Sequence, residues 1–183
     1  MREHPDTRTR IQETALTFFI EQGYEATSLR EIAEALGVTK AALYYHFKTK
    51  DDIVLSLAED RSRTIGELVS WAEEQPRTEE TRRELVRRYS RDLKQGRHRQ
   101  IIRFFERNQT SLKNHPIMEK AREHIFQLVD FLVDPDDPPT TRLRNRMALF
   151  VLHSAWFVMR DETLADDEVE AAALEVALDL VRR

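Results

Sequence analysis

Within eleven residues the chain places Lys40, Tyr44, Tyr45, His46 and Lys50. Ammonium, phenol and imidazole groups at this density offer hydrogen-bond donors to phosphate oxygens and to acceptors on base edges. The stretch reads Lys40-Ala41-Ala42-Leu43-Tyr44-Tyr45-His46-Phe47. Leu43 and Phe47 lie four apart, so in a helix they share one face, which packs inward with Val38. Lys40, Ala41, Tyr44, Tyr45 and His46 are left facing out. Adjacent outward tyrosines expose apolar surface that calls for a partner.

Those side chains need elements to aim them. Ser28-Leu29-Arg30-Glu31 has the pattern of a capping box and opens a short helix that buries Leu29, Ile32, Ala33 and Leu36. Gly37-Val38-Thr39 makes a tight turn, and Thr39 is placed to cap the next helix, from Lys40 to about Phe47. Two short helices around a glycine turn describe a helix-turn-helix, whose second helix enters the major groove. A preceding helix runs from about Thr7 to Gln22, with Ile11, Ala15, Phe18 and Phe19 on one face and Gly23 as its left-handed stop. Thr49 caps a long fourth helix from near Lys50, with Ile53, Leu57, Thr64, Leu68 and Trp71 as its inward stripe and Pro76 beyond its end.

Gly23-Tyr24, Thr27-Ser28, Ile32-Ala33, Gly37-Val38-Thr39-Lys40, Leu43-Tyr44-Tyr45-His46-Phe47 and Lys50 together resemble the TetR family signature, over about residues 8–55. Residues 56–183 match that family only in helix number and layout. The resemblance implies an all-α fold of about nine helices. Residues 1–50 would form a three-helix DNA-binding domain and residues 51–183 a ligand-binding and dimerisation bundle. It also implies roles. Ser28 and Arg30 meet backbone phosphate, and Thr39 and Lys40 open the recognition helix, where its dipole favours phosphate or base acceptors. Tyr44 donates to phosphate, Tyr45 and His46 reach bases and backbone, and Lys50 adds a phosphate contact. Ala41 leaves an apolar contact, suited to a thymine methyl. Plainer readings stand beside these: Ser28 and Thr39 as caps only, Tyr44 as a core-edge ring, His46 as a surface histidine, Lys40 and Lys50 as solvated charges. The implied function is a repressor released from a palindromic operator by a small-molecule inducer, with repression resting on family frequency alone.

Past Pro76 the pattern is that of a helical bundle. Leu85, Val86, Tyr89 and Leu93 mark one helix, closed by Gly96; Ile101, Phe104 and Phe105 mark another, ending before His115-Pro116. Ile125, Leu128, Val129 and Leu132 mark a third, followed by the linker Asp134-Pro135-Asp136-Asp137-Pro138-Pro139. The last two helices run over about 140–160 and 166–182. Trp71, Tyr89, Phe104, Phe105, Asn108, His124, Phe131 and Trp156 are candidates to line a site for a lipophilic effector, though for most of them ordinary core is the more frequent role. Arg83, Arg87, Arg91 and Lys94 invite an anionic ligand, but a solvated face opposite Leu85 and Tyr89 explains them more simply. Met147, Phe150, Val151, Ser154, Phe157 and Val158 form one broad apolar face. Val169, Ala172, Ala173, Val176, Ala177 and Leu180 form a second. Two such helices from each of two copies suit a two-fold homodimer.

Net charge is −4, yet residues 27–50 carry four Lys/Arg against two Asp/Glu, and residues 161–183 carry two against eight. Duplex binding needs a basic local surface, not a basic whole. Without cysteine there are no disulfides, thiolate metal sites or thiol nucleophiles. Four glycines are too few for a phosphate-cradling loop. The six histidines form no HExxH pair, and His153 and Ser154, being adjacent, point to different helix faces. No cofactor or metal is therefore expected. The N-terminus lacks the apolar stretch of a signal peptide, and no apolar run reaches membrane-spanning length, so the expected setting is the cytoplasm. A helical enzyme and a helical interaction module without selective DNA binding remain the competing classes.

Overall fold

The second, third and fourth helices each start where a hydroxyl accepts one of their unpaired backbone amides. The computed structural model describes residues 6–94, 99–102, 104, 116–159 and 163–181. Among them, α1 (Thr7–Glu21) ends at Gln22, and Gly23 follows with φ 95°. The Ser28 hydroxyl caps α2 (Leu29–Leu36), which Gly37 closes in the left-handed conformation, φ 66°. The Thr39 hydroxyl accepts the Ala42 amide and starts α3 (Lys40–His46). Thr49 and Asp52 cap each other at the start of α4 (Lys50–Glu73): the Asp52 amide donates to Thr49 Oγ1 at 3.0 Å, and the Thr49 amide to Asp52 Oδ2 at 2.9 Å.

Then come α5 (Glu79–Lys94), α6 (Pro116–Phe131), α7 (Pro139–Val158) and α8 (Asp166–Leu180). Residues 99–102 are also helical, and no strand occurs among the described residues. Proline opens both α6 and α7, where its missing N–H goes unneeded. Expected Phe105 and Asn108 lie outside the described residues.

The chain groups into two compact units, residues 1–63 with 95–121 and residues 64–94 with 122–183. In the first, Ile11, Leu16 and Phe19 of α1 meet Leu29 and Ile32 of α2, Leu43 and Phe47 around α3, and Ile53, Val54 and Leu57 of α4. Gln12 Nε2 donates to Ser56 Oγ at 2.8 Å, tying α1 to α4. A split at residue 50 therefore does not follow the packing, because the first turns of α4 complete this core. Phe104 corrects another expectation. It is fully buried in the first unit, 5.3 Å from the Phe19 ring centroid and 6.3 Å from that of Tyr24, not in the ligand bundle.

The second unit buries Ile65, Val69 and Ala72 of α4 against Leu85, Val86 and Tyr89 of α5, Leu128 and Phe131 of α6, and Leu149 and Leu152 of α7. The expected α4 stripe thus holds at Ile53 and Leu57, but Thr64, Leu68 and Trp71 are only partly buried. Burial follows the i+4 row Leu57–Arg61–Ile65–Val69, which winds around the helix because four residues overshoot one turn. Along α8, Val169, Ala173 and Ala177 are buried in the chain's own core. Their expected place at a dimer interface is corrected: that face packs on α7 of the same chain.

Candidate nucleic-acid interface

Leu43 is fully buried and Phe47 nearly so, which anchors α3 from within. The outward residues separate as the helical period requires. Lys40, Ala41 and Tyr45 are exposed, Tyr45 to 81%, while Tyr44 and His46 are half-buried. The Lys40 ammonium lies 5.4 Å from the Tyr44 ring centroid, and the Tyr45 and His46 rings meet edge-on at 5.2 Å. Ammonium, two phenols and an imidazole therefore share one end of the unit.

Other expected contacts are partly occupied inside the fold. The Ser28 hydroxyl donates to Glu31 Oε2 at 2.7 Å while accepting the Glu31 amide at 3.2 Å. The hydroxyl and amide of Ser28 hold the Glu31 carboxyl below its usual range. Arg30 Nε donates to Glu34 at 2.7 Å, which raises the guanidinium further above its ordinary value. Its terminal nitrogens extend beyond that pair, and the side chain is exposed. Lys50 differs most from expectation: its ammonium donates to the carbonyls of Tyr24 at 2.6 Å and Glu25 at 3.3 Å. Arg8, which no sequence pattern singles out, stacks at 4.6 Å on the Phe47 ring and sets a guanidinium beside the end of α3.

Residues 11–57 match the model of the bacterial regulatory proteins of the tetR family. Over that stretch the chain is similar to the family's DNA-binding part. The regulator AcrR of Shigella flexneri is 47% identical over 66 residues, covering 36% of this chain and 31% of that protein. The repressor AcnR of Corynebacterium glutamicum is 35% identical over 65 residues, 36% of this chain and 35% of its own. The chain thus matches about a third of the length of these curated relatives. In fold the likeness is longer. The crystal structure of Mycobacterium smegmatis AmtR superposes with a TM-score of 0.74 over 99% of this chain and 89% of that one, at 23% identity. That likeness shows the fold: an N-terminal helix-turn-helix followed by a C-terminal helical domain.

In the C-terminal part of the chain the expected ligand residues scatter. Tyr89 is fully buried and bonded to His153 at 2.5 Å. Trp71 lies under the Arg88 guanidinium at 4.1 Å, His124 lies beside Gly66, and Trp156 packs at the core edge. Phe131 lines a cavity of about 190 Å³ with Val69, Ala72, Glu73, Arg77, Gln127, Leu128 and Asp130. The basic face of α5 is held by ion pairs: Arg87, Arg88 and Arg91 with Glu84, and Lys94 with Glu170. Arg83 donates to the Leu178 carbonyl at 2.8 Å, near the end of α8. Leu143, Met147, Phe150, Phe157 and Val158 of α7 are exposed, as is Val176 of α8. Val151, Ser154, Ala172 and Leu180 are partly buried beside them.

Proposed function

We propose that the chain is a sequence-specific DNA-binding transcriptional regulator that acts as a homodimer on a palindromic operator and is released by a small-molecule effector. The outward face of α3 carries this reading. A phenol 81% exposed, next to an ammonium, an imidazole and a second phenol, has donors and ring faces for phosphate and bases. Ser28, Arg30, Thr39 and Ala41 flank that face. Repression is the mode the AcnR description favours. The compartment that fits is the cytoplasm; among the described residues no helix is long and apolar enough to cross a membrane.

Support for the homodimer comes from α7. Leu143, Met147, Phe150 and Phe157 stand exposed at spacings of four, three and seven, one continuous stripe on the helix. A second copy related by a two-fold axis would cover it. For the effector, the cavity beside Phe131 has an apolar floor of Val69, Ala72 and Leu128, which suits a lipophilic molecule. An effector acts only if it binds one arrangement of the protein more tightly than another.

The test is a fluorescence-anisotropy titration of purified protein on duplexes from its own promoter region and on random duplex. Selective binding that weakens steeply with salt is expected. Equal affinity for all duplexes would reject the regulator in favour of an interaction module.

A further inference from the structure

Two consecutive residues at the start of α4 grip one tyrosine. The Lys50 ammonium donates to the Tyr24 and Glu25 carbonyls and lies 4.5 Å from the Tyr24 ring centroid. At the other end of that ring, the Tyr24 hydroxyl donates to the Asp51 carboxylate. Burial, and then Asp51 itself, push the Tyr24 phenol upward, so it keeps the proton it donates. Residue 24 is thus held by its carbonyl, its ring face and its hydroxyl.

The turn that carries Tyr24 is itself a hydrogen-bonded piece. The Thr27 hydroxyl donates to the Gly23 carbonyl at 2.9 Å and accepts from Gln22 Nε2 at 3.2 Å. The next residue, Ser28, caps α2. A grip on Tyr24 therefore reaches the start of α2 within four residues. Lysine has three donors, and two are engaged here with carbonyl oxygens. That leaves its charge directed at the protein's own backbone.

We infer that Lys50 and Asp51 are positioning residues for DNA recognition: they clamp the turn after α1 to the first turn of α4, and Lys50 acts through this clamp and not as a phosphate contact. The inference rests on the DNA-binding reading above. Its signature is a matter of sign. An exposed carboxylate near the start of α4 repels phosphate, so a bystander Asp51 would weaken binding and its removal would strengthen it. A clamping Asp51 does the reverse.

The experiment compares full-length Lys50→Met, Asp51→Ala and Tyr24→Phe with wild type, by anisotropy over a salt series on the duplex that wild type selects. Each variant is expected to bind about tenfold more weakly, as for loss of a hydrogen bond to a charged group. The slope of log affinity against log salt is expected to stay at the wild-type value. A slope shallower by about 0.9 per protomer in Lys50→Met marks a lost phosphate contact and overturns the inference. Tighter binding by Asp51→Ala, or unchanged binding by Tyr24→Phe, overturns it equally. If circular dichroism shows Lys50→Met unfolded, Tyr24→Phe decides, since it removes a single oxygen. A wild type that selects no duplex overturns the DNA-binding reading too, whereas a selective wild type with insensitive variants overturns the clamp alone.

Discussion

The Tyr89 hydroxyl and His153 Nε2 stand 2.5 Å apart inside the second unit, one on α5 and the other on α7. Their rings are tilted by 58° with centroids 5.5 Å apart. Tyr89→Phe keeps the ring and deletes this bond, so it is expected to lower the unfolding free energy by about 1 kcal/mol. Urea unfolding should show the midpoint falling with the slope unchanged. An unshifted midpoint would mean that the bond contributes nothing net.

Tyr45 should separate recognition from stability. Because its side chain is 81% exposed, Tyr45→Ala is expected to change stability by no more than about 0.5 kcal/mol while abolishing selective DNA binding. Thermal unfolding and anisotropy on the same sample check both halves. Retained selectivity would remove Tyr45 from the interface.

The caps that aim α3 have the opposite profile. Thr39→Ala removes the acceptor for the Ala42 amide and should cost about 1 kcal/mol of stability. A Thr39→Ser variant keeps the oxygen and should recover most of the loss in the same denaturation assay.

Glu31 gives a pH dependence whose direction follows from its partners. Its folded-state carboxyl titrates below the usual value, because Ser28 donates two hydrogen bonds to the charged form. The stabilisation is therefore complete above the ordinary carboxylate range and disappears as pH falls through the lowered folded-state value. The gap in urea midpoint between wild type and Glu31→Gln should close on acidification. A gap that widens in acid would show that the sign is wrong.

On α7, Phe150 is 58% exposed and Phe157 71%. Phe150→Asp with Phe157→Asp is expected to convert a dimer into a monomer in sedimentation velocity, with helix content retained. A double variant that remains dimeric would place the interface elsewhere.

Local signals carried much of the first unit. The Ser28–Glu31 box, the Gly37 turn and the Thr39 cap lie within a few residues of the groups they satisfy, so spacing alone reveals them. Long-range pairings were not legible. Lys50 meets Tyr24 across 26 positions, and nothing in a lysine at a helix start tells phosphate from carbonyl. Phe104 shows an ordinary helical period, yet periodicity does not say which of two cores receives it. In α8, Val169, Ala173 and Ala177 turn inward while Val176 stays open. An apolar face has the same sequence pattern whether the chain itself or a second copy covers it.

Helix α3 is only seven residues long, far too short to persist in water by itself. What keeps it folded is the inward pair Leu43 and Phe47 and the Thr39 hydroxyl. Positions 40, 41 and 45 take no part in that support. On the proposed DNA-binding reading, substitutions there would rewrite which base pairs are preferred without touching the scaffold, leaving operator preference free to diverge while the architecture stays put.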